Sequence, residues 1–544
     1  MKSNTESESE ISFDREFALN EVRANPSFDV IIIGGGATGL GVALDAASRG
    51  FRTLSLEQAD FAKGTSSRST KLIHGGVRYL GQGDIKLVFE ALFERGILLK
   101  NAPHVVTMQP FVIPNYKWWS ELLYGIGLKI YDWMAWRYRF PKTALLGRKA
   151  VENLLPNIRK EGLKGGVLYY DGQFDDARLA INLAQTSADL GGVLINYMRV
   201  TDLLKDAEGR ISGVKAVDME SDQEEYVLNA KVVVNATGVF VDDILKMSSS
   251  TQEPMVRPSQ GVHIVLDQSF LEGDSALMIP STEDGRVLFA VPWHNHLLVG
   301  TTDTPLDEHS LEPVALDDEV EFILKTLRGY LVRKPQRKDV LSVFAGLRPL
   351  AAQGNRNGKT KEISRSHKLM TSPSGLVTIT GGKWTTYRKM AQDTVDEAIR
   401  VAGLKNVECS TAALRIHGFS NNGTDAGHLN IYGSDSAGIQ TLADERPELS
   451  QKLHEAFPHT SAEVVWAVRH EMARTVEDVL ARRLRVLFLN ARVAMAMAPE
   501  VARLMAAELN RDYSWQEAQV TAFSRLARQY LGKTKTESLT TNLK

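Results

Sequence analysis

The chain begins with alternating strand and helix patterns. Residues 28–33 read Phe-Asp-Val-Ile-Ile-Ile, a β-branched run that is typical of a buried parallel strand. A glycine-rich turn follows, then an apolar helical pattern over residues 40–49 and a second strand pattern over residues 51–56. Gly50 stands where the end of a helix often requires a left-handed residue. The pattern predicts a βαβ unit and therefore an α/β fold with a Rossmann-like parallel sheet.

Farther along the chain, the pattern changes to short strands separated by turns. Residues 262–302 contain apolar strand patterns that are interrupted by turn residues, as at residues 283–286, which favours an antiparallel sheet. After Lys383 the spacing becomes helical, and residues 447–531 are rich in Ala, Leu, Arg and Glu. We therefore predict a mostly antiparallel β domain and a C-terminal all-α domain, with a linker over residues 418–433.

A glycine motif lies between the first strand and the first helix. Gly34, Gly36 and Gly39 have the spacing Gly-x-Gly-x-x-Gly, and Glu57 closes the second strand. The first glycine allows a tight turn, the second lets backbone amides approach a pyrophosphate, and the third lets the helix pack on the strand. Glu57 would accept hydrogen bonds from ribose hydroxyls. The motif predicts a dinucleotide site but leaves NAD and FAD open, because both use this fingerprint.

Two later turns also combine a strand, small residues and the start of a helix. One ends in Ala236, Thr237 and Gly238, and the other in Gly382 and Lys383. Small residues stand where the backbone must approach a cofactor. A helix N-terminus after the second turn can stabilise negative charge on a reduced flavin ring. These turns favour a flavoprotein, and ordinary strand-to-helix turns are the alternative.

The composition is that of an ordinary soluble enzyme. Hydrophobic residues make up 43% and charged residues 24%, and Lys+Arg 64 against Asp+Glu 66 gives a net charge of -2. This balance speaks against a nucleic-acid-binding protein. One cysteine, Cys409, excludes an internal disulfide and a thiolate zinc site, and it predicts a reducing compartment. No calcium-binding loop occurs in the C-terminal part, so no metal site is predicted.

The segment that follows the βαβ unit carries a family resemblance. Residues 65–80 read Thr-Ser-Ser-Arg-Ser-Thr-Lys-Leu-Ile-His-Gly-Gly-Val-Arg-Tyr-Leu and closely resemble the corresponding segment of FAD-dependent glycerol-3-phosphate dehydrogenases. Residues 345–350 and 381–389 resemble further motifs of that family, as do residues 261–265 and 300–303. These matches run in the family's order along the chain. The helical tail also resembles the C-terminal cap domain of that family.

The resemblance implies a discontinuous Rossmann-like FAD domain, a mostly antiparallel β substrate domain and a C-terminal all-α cap domain. It also implies that sn-glycerol 3-phosphate is oxidised to dihydroxyacetone phosphate and that electrons pass from reduced FAD to membrane quinone. The predicted boundaries are an N-terminal extension at residues 1–27, the oxidoreductase region at 28–410 and the cap at 411–544. Within that region, the FAD domain covers about 28–110, 165–250 and 370–410, and the substrate domain about 111–164 and 251–369.

The resemblance assigns cofactor contacts to the loop after the βαβ unit. Its hydroxyl and amide donors would surround the pyrophosphate and the ring of FAD, and a flexible serine-rich loop is the alternative. Together with the glycine turns, the predicted cofactor-binding residues are Gly34, Gly36, Gly39, Glu57, Thr65, Ser66, Ser69, Thr70, Lys71, His74, Gly75, Ala236, Thr237, Gly238, Gly382, Lys383, Thr385 and Thr386.

The substrate's phosphate needs fixed cationic donors, for which arginine is preferred because its planar fork is bidentate and always charged. Arg78, Arg348 and Lys383 lie in the matched motifs and are the predicted donors, with Arg365 a weaker fourth. His263, in mid-strand, is the candidate base for the proton of the C2 hydroxyl. Arg348 could also polarise the C2 oxygen, so the catalytic roles of these residues and Lys383 stay open.

A segment rich in aromatic and basic residues predicts peripheral contact with an anionic membrane surface. Aromatic rings favour the headgroup level of a bilayer, and cations attract anionic lipid. An aromatic helix buried against the FAD domain is the alternative. The four tryptophans of the segment are Trp118, Trp119, Trp133 and Trp136.

The N-terminus is acidic and serine-rich, which is typical of neither a secretory signal nor a transit peptide. No run without charged residues is long enough for a spanning helix. We therefore expect a bacterial enzyme on the cytoplasmic face of the plasma membrane. The oligomeric state stays open, with a homodimer as one expectation.

Three other functions compete with the dehydrogenase. A glycerol-3-phosphate oxidase would pass electrons to O2 and form H2O2, but the short stretch between Arg348 and Lys383 leaves little room for the insertion that such oxidases carry. An amino-acid or 2-hydroxy-acid oxidase needs one arginine for its carboxylate, whereas several cations favour phosphate. A non-catalytic FAD-binding protein is disfavoured because His263 accompanies these cations.

Overall fold

The computed structural model describes residues 13–75, 85–116, 141–221, 223–249, 254–351, 367–420 and 427–532. Several predictions concern residues outside the described ranges, and they stay predictions. These residues are Arg78, Arg365, Trp118, Trp119, Trp133 and Trp136.

Strands and helices alternate in the first part of the chain, strands dominate the middle, and helices form the C-terminal part. The strands are β1 (Ser27–Ile33), β2 (Thr53–Leu56), β3 (Leu72–Ile73), β4 (Val106–Asn115), β5 (Ala144–Gly147), β6 (Gly165–Phe174), β7 (Val193–Ile195), β8 (Met198–Lys205), β9 (Ile211–Asp218), β10 (Glu225–Asn235), β11 (Val256–Asp267), β12 (Ala276–Ile279), β13 (Leu288–Trp293), β14 (His296–Gly300), β15 (Thr304–Pro305), β16 (Ser342–Ala351), β17 (His367–Thr371) and β18 (Val377–Gly381). The α-helices are α1 (Arg15–Ala24), α2 (Ala37–Ser48), α3 (Ile85–Asn101), α4 (Arg148–Leu154), α5 (Asp176–Asp189), α6 (Val241–Ser248), α7 (Asp317–Arg328), α8 (Tyr387–Ala402), α9 (Ser436–Glu445), α10 (Ser461–His470), α11 (Val486–Leu489), α12 (Ala491–Glu508) and α13 (Tyr513–Ala527).

The first sheet is the predicted Rossmann-like sheet. Its strands run in the order β17, β18, β10, β1, β2, β7, and β1, β2, β7, β10 and β18 are parallel. Strand β9 pairs antiparallel with β10, and β8 pairs antiparallel with β9. Side chains alternate across a strand, so Val30 and Ile32 of β1 pack in the core formed with α2 and α8. Ile31 and Ile33 pack in the core on the opposite face. Burial on both faces explains the continuous apolar run of β1.

The second sheet is mostly antiparallel, as the sequence predicts. Its main path runs β15, β11, β14, β13, β12, β4, β6, β3, and β16 pairs with β11. The pairing of β12 with β4 is parallel. One face is covered by α7, whose Val320, Ile323 and Leu327 are buried in the same core as Val262 and Ile264 of β11. This core fixes β11 and β16, the two strands that carry the catalytic candidates His263 and Arg348.

The structure differs from the strand predictions in two places. The pattern predicts two short strands, over residues 225–228 and 232–235, but the chain forms one strand, β10, because β1 pairs with Asn229 and Ala230 between them. Strand β8, which the sequence pattern did not predict, pairs with β9. Strand β6 lies in the second sheet, where it pairs with β4. The domain boundaries themselves stay a prediction.

The C-terminal part is helical and has its own apolar core. Ala494, Met497 and Val501 of α12 are fully buried against neighbouring helices, and Phe523 of α13 closes this core. A π-helical turn at Asp478–Arg483 faces the first part of the chain. Among the described residues, no helix combines the length and the hydrophobicity that crossing a bilayer requires.

Buried ion pairs join the helical part to the βαβ unit. Asp60, which follows β2, accepts hydrogen bonds from Arg482 and Arg483 of the π-helical turn, each at 2.5 Å. Arg178 of α5 forms an ion pair with Glu471. These side chains are almost completely buried, and removing one partner of such a pair is strongly destabilising because the other charge stays buried. The helical part is therefore held to the first sheet by charge pairing as well as by apolar packing.

Candidate active site

A cavity of about 460 Å³ is lined by residues of both sheets. It lies at the carboxyl ends of the parallel strands β1, β10 and β18, where open α/β sheets bind their ligands. Most of the predicted site residues line it, although they come from distant parts of the sequence. These residues are Gly34, Gly36, Glu57, Thr65, Ser66, Ser69, Thr70, His74, Ala236, Thr237, Gly238, His263, Arg348, Gly382, Lys383 and Thr385.

Four predicted cofactor residues do not line the cavity. Gly39 lies behind the glycine turn, where a Cβ atom would be 1.8 Å from the carbonyl oxygen of Gly34. This geometry agrees with the packing role of the third glycine. Lys71 is fully buried behind the cavity wall, and Gly75 and Thr386 are also absent from the lining.

The glycine turn brings backbone donors to the cavity. Gly34 has a φ of +113°, which side chains other than glycine rarely allow. Gly36 is the N-cap of α2, and a Cβ atom there would be 3.0 Å from Oγ of Ser66. The same hydroxyl accepts a hydrogen bond from the backbone N–H of Ala37 at 2.9 Å. The N-terminus of α2 and the serine-rich loop therefore form one wall of the site.

Glu57 lines the cavity and also stabilises the glycine turn. Its carboxylate accepts hydrogen bonds from the backbone N–H groups of Gly35 at 2.6 Å and of Ala59 at 2.9 Å. Burial is the main reason that the pKa of Glu57 is raised above its ordinary value. The predicted bond to a ribose is therefore an additional role for a carboxylate that already has two backbone partners.

His263 lies on β11 with its ring against the cavity wall. The imidazole stacks on Phe344, with ring centroids 5.0 Å apart, and its Nε2 lies 2.9 Å from Oγ1 of Thr70. Burial, followed by the charges of Lys71 and Arg348, lowers the pKa of His263 well below the ordinary value. The imidazole is therefore neutral at pH 7, which is the state that can accept a proton.

Arg348 lies on β16, next to β11, and is held by several acceptors. One Nη atom donates to Oγ1 of Thr301 at 3.1 Å and to the carbonyl oxygen of Thr302 at 3.0 Å. Asp303 forms an ion pair with the guanidinium at 3.3 Å. The side chain is 23% exposed, so a fixed cation faces the cavity.

Two glycines make room for the catalytic candidates. A Cβ atom at Gly261 would be 2.3 Å from Nη2 of Arg348, and one at Gly300 would be 2.2 Å from Cδ2 of His263. Gly300 pairs with His263 across β14 and β11. Both glycines lie within the family motifs at residues 261–265 and 300–303, but their role could not be predicted, because it depends on which side chain the neighbouring strand presents.

A buried charge cluster behind His263 was not predicted. Nζ of Lys71 lies 2.6 Å from Asp176, and Arg485 donates to the same carboxylate at 2.8 Å. The ammonium group also lies 5.2 Å from the ring centroid of Trp293 and 5.4 Å from that of Phe344. Burial is the main cause that lowers the pKa of Lys71 to about 7. Two consecutive aspartates at the start of α5, Asp175 and Asp176, were the available sequence signal for this cluster. Aspartate at this position is typical of any capped helix, so the signal did not predict a charge cluster.

The geometry of this cavity fits FAD. Three turns meet the cavity at Gly34, Gly238 and Gly382, all with positive φ. Because glycine has no side chain, these three positions leave backbone groups open to a ligand along the edge of the sheet. The neighbouring hydroxyls of Thr65 and Ser66 add polar groups to the same wall.

Comparison with protein families gives two matches that together span most of the chain. Residues 29–388 match the family described as FAD dependent oxidoreductase. Residues 377–519 match the family described as the C-terminal domain of alpha-glycerophosphate oxidase.

Individual relatives carry more specific names. The chain is 41% identical to the probable mitochondrial glycerol-3-phosphate dehydrogenase of Caenorhabditis elegans, over 93% of this chain and 74% of that protein. It is 38% identical to the mitochondrial glycerol-3-phosphate dehydrogenase of Schizosaccharomyces pombe, over 95% of this chain and 89% of that protein.

Two solved structures, which are also named for enzymes of glycerol phosphate oxidation, are similar to this chain. The glycerol-3-phosphate dehydrogenase from Bacillus halodurans complexed with FAD superimposes with a TM-score of 0.78 at 30% identity, covering 96% of this chain and 98% of that one. The L-alpha-glycerophosphate oxidase of Mycoplasma pneumoniae shares the fold alone, with a TM-score of 0.53 at 16% identity over 71% of this chain and 97% of that one. The predicted fold class and the FAD cofactor are confirmed, and the chain belongs to the family of FAD-dependent glycerol-3-phosphate dehydrogenases.

Proposed function

We propose that this protein oxidises sn-glycerol 3-phosphate to dihydroxyacetone phosphate and passes the electrons to membrane quinone. One observation carries the proposal: His263 and Arg348 line the same cavity as the glycine turns that fit FAD. A neutral base and a fixed cation beside the flavin site are what the oxidation of a phosphorylated alcohol requires. The predicted cofactor-binding residues are part of this proposal.

The proposed reaction removes a hydride and a proton from the same carbinol group. When bound, FAD supplies the acceptor that takes the hydride from C2. His263 takes the proton of the C2 hydroxyl, so the C2–O bond becomes a carbonyl. Arg348 and Lys383 supply positive charge for the phosphate or for the C2 oxygen. Arg78 and Arg365 stay predicted donors for the phosphate.

The first test is the visible spectrum of the purified holoenzyme under anaerobic conditions. Adding sn-glycerol 3-phosphate should bleach the flavin band, whereas glycerol, which lacks the phosphate, should not. Lactate is the control for a 2-hydroxy-acid oxidase. An unchanged flavin band with sn-glycerol 3-phosphate, or bleaching by lactate, would overturn the substrate assignment.

The electron acceptor needs a second test on the same reduced sample. A soluble quinone analogue should restore the flavin band quickly, and air should restore it slowly. Fast recovery in air with stoichiometric hydrogen peroxide would instead establish the oxidase, whose fold this chain shares.

Delivery of electrons to quinone requires contact with a bilayer, and an exposed apolar face supports such contact. Ile85 and Phe89, one turn apart on α3, are 62% and 48% exposed. The segment with the four tryptophans lies later in the chain. We propose that these parts of the chain form a peripheral membrane-binding surface on the cytoplasmic side of the plasma membrane.

Liposome flotation tests this surface. Replacing Trp118, Trp119, Trp133 and Trp136 by Ser should release the protein from anionic liposomes and leave reduction of its flavin by substrate unchanged. The matched control replaces Trp515 by Ser, because this tryptophan lies on α13 in the helical part. Equal liposome binding by the wild type and the fourfold variant would contradict the proposed surface.

A further inference from the structure

Three side chains of the helical part converge outside the active-site cavity. One ligand atom each from His428, His459 and Glu463 lies within 4.8 Å of the other two. Nε2 of His428 lies 3.1 Å from Oε2 of Glu463, and Nδ1 of His459 lies 2.9 Å from Oε1. None of the three lines the active-site cavity.

The carboxylate of Glu463 is completely buried, and its charge needs compensation. The two histidines are its ion-pair partners, and no lysine or arginine within the described ranges pairs with it. A buried carboxylate is costly unless neighbouring groups compensate its charge, and a metal cation is such a group.

The carboxylate is also held by neighbouring groups. The hydroxyl of Tyr432 donates to Oε1 at 3.2 Å, and the backbone N–H of Thr460 donates to Oε2 at 2.8 Å. Such outer partners orient the ligands of a metal. His428 comes from the 3-10 segment Gly427–Asp435, whereas Glu463 lies in the first turn of α10. A shared ion would therefore connect two separate elements.

We propose that His428, His459 and Glu463 bind a divalent transition-metal ion, with zinc as the best fit. Two imidazole nitrogens and one carboxylate oxygen form a common zinc ligand set, and water completes the tetrahedron. Two ligands of a tetrahedral zinc ion lie roughly 3.3 Å apart when the metal bonds are about 2.0–2.1 Å long. The two nitrogen–oxygen distances, 3.1 Å to Oε2 and 2.9 Å to Oε1 of Glu463, are within a few tenths of this value, and each imidazole lies beside a different oxygen of the carboxylate. The side chain of His428 is 27% exposed, which gives an ion access from solvent.

Zinc at this position would compensate the charge of the buried carboxylate. It would also tie the end of the predicted linker, where His428 lies, to α10. Since a ligand that binds only the folded state stabilises it, zinc should raise the thermal midpoint of the protein.

The test is titration of the tag-free holoenzyme with zinc chloride by isothermal calorimetry, alongside three variants. The wild type should bind one equivalent at this site. Loss of a group that only hydrogen-bonds to a metal ligand lowers metal affinity about 10–100-fold. Because His428→Ala and His459→Ala each remove a ligand itself, each should weaken zinc binding about 100-fold or more. His454→Ala is the matched control, because this histidine lies in the same loop and contacts Ala456 instead.

Cobalt chloride gives a readout that does not depend on variants. Four-coordinate cobalt absorbs strongly at wavelengths longer than the bands of oxidised flavin, and this absorption should appear with the wild type and with His454→Ala. Wild-type protein that binds neither zinc nor cobalt would show that the trio is only a hydrogen-bonded cluster. Equal affinity of the wild type and His459→Ala would place the metal elsewhere, and either result would overturn the proposal.

Discussion

Gly300 lies directly opposite His263 on the neighbouring strand, and a Cβ atom at Gly300 would be 2.2 Å from Cδ2 of the imidazole. The ring can occupy its position beside Thr70 only because residue 300 has no side chain. A glycine of the β-sheet thus decides where the candidate base stands.

Replacing Gly300 by Ala should displace the imidazole by more than a few tenths of an ångström. Because a misplacement of about 1 Å can cost about a hundredfold in rate, we expect flavin reduction by sn-glycerol 3-phosphate to slow by about that factor. Stopped-flow absorbance of the bound flavin measures this rate. Gly147→Ala is the control, because Gly147 has no atom within 4 Å of an added Cβ and a φ of -68°. Equal rates in the two variants would contradict the steric role of Gly300.

His263→Ala should slow flavin reduction by about 10²–10⁴-fold while FAD stays bound, because general-base catalysis typically contributes that much. The wild-type rate should also have a specific pH dependence. Since the pKa of His263 is lowered, the imidazole stays neutral as the pH falls to its ordinary value near 6.5. The rate should therefore stay level down to that pH and fall only in more acidic buffer. A loss of rate centred at or above 6.5 would exclude His263 as the base.

Arg348→Ala should reduce turnover with sn-glycerol 3-phosphate by about 10²–10³-fold, which is typical for the loss of one fixed donor at a reacting site. The absorbance of bound FAD should be unchanged, because the guanidinium is held by Thr301 and Thr302, which directly follow β14. Arg210→Ala, in an exposed turn, is the matched control. If Arg348→Ala instead releases FAD, the residue belongs to the cofactor site and the substrate assignment is wrong.

His417 connects α5 to the helical part and makes stability depend on pH. Its ring lies 2.8 Å from Asp189 and 3.0 Å from Asp435, and these carboxylates outweigh burial and raise its pKa to about 10. A raised pKa stabilises the fold fully below the unfolded value near 6.5, and this stability is lost as the pH rises towards 10.

His417→Asn should therefore lower stability most in acidic buffer. Charged hydrogen bonds contribute roughly 1.5–3 kcal/mol, so we expect a loss of that size at pH 6. The difference from wild type should shrink steadily as the pH is raised towards 10. Thermal midpoints across this pH range measure it, and His454→Asn serves as the control because no carboxylate contacts His454 among the described residues. A difference that does not change with pH would contradict the ion-pair role.

Local patterns were enough to predict the βαβ unit. The β-branched run of β1, the glycine spacing and the helix after it are contiguous in the chain, and the structure has them at Ser27–Ile33 and Ala37–Ser48. The antiparallel character of the second sheet was also predicted, because turn residues separate its strands. The continuation of β10 through Asn229 could not be predicted, since this polar residue stays in the strand because β1 and β9 both pair with it.

The features of the candidate site also fall into two groups, those that the sequence determined and those that only the tertiary structure decided. The sequence by itself determined the glycine turn, the chemistry of its loop and the residue types for a base and a cation, because these depend on local spacing and on family motifs. Only the tertiary structure decided that His263 and Arg348 face one cavity, that Gly261 and Gly300 leave space for them, and that Lys71 is buried against Asp176. The physical reason is that a side chain's space, charge and pKa depend on the neighbouring strand, which lies far away in the sequence.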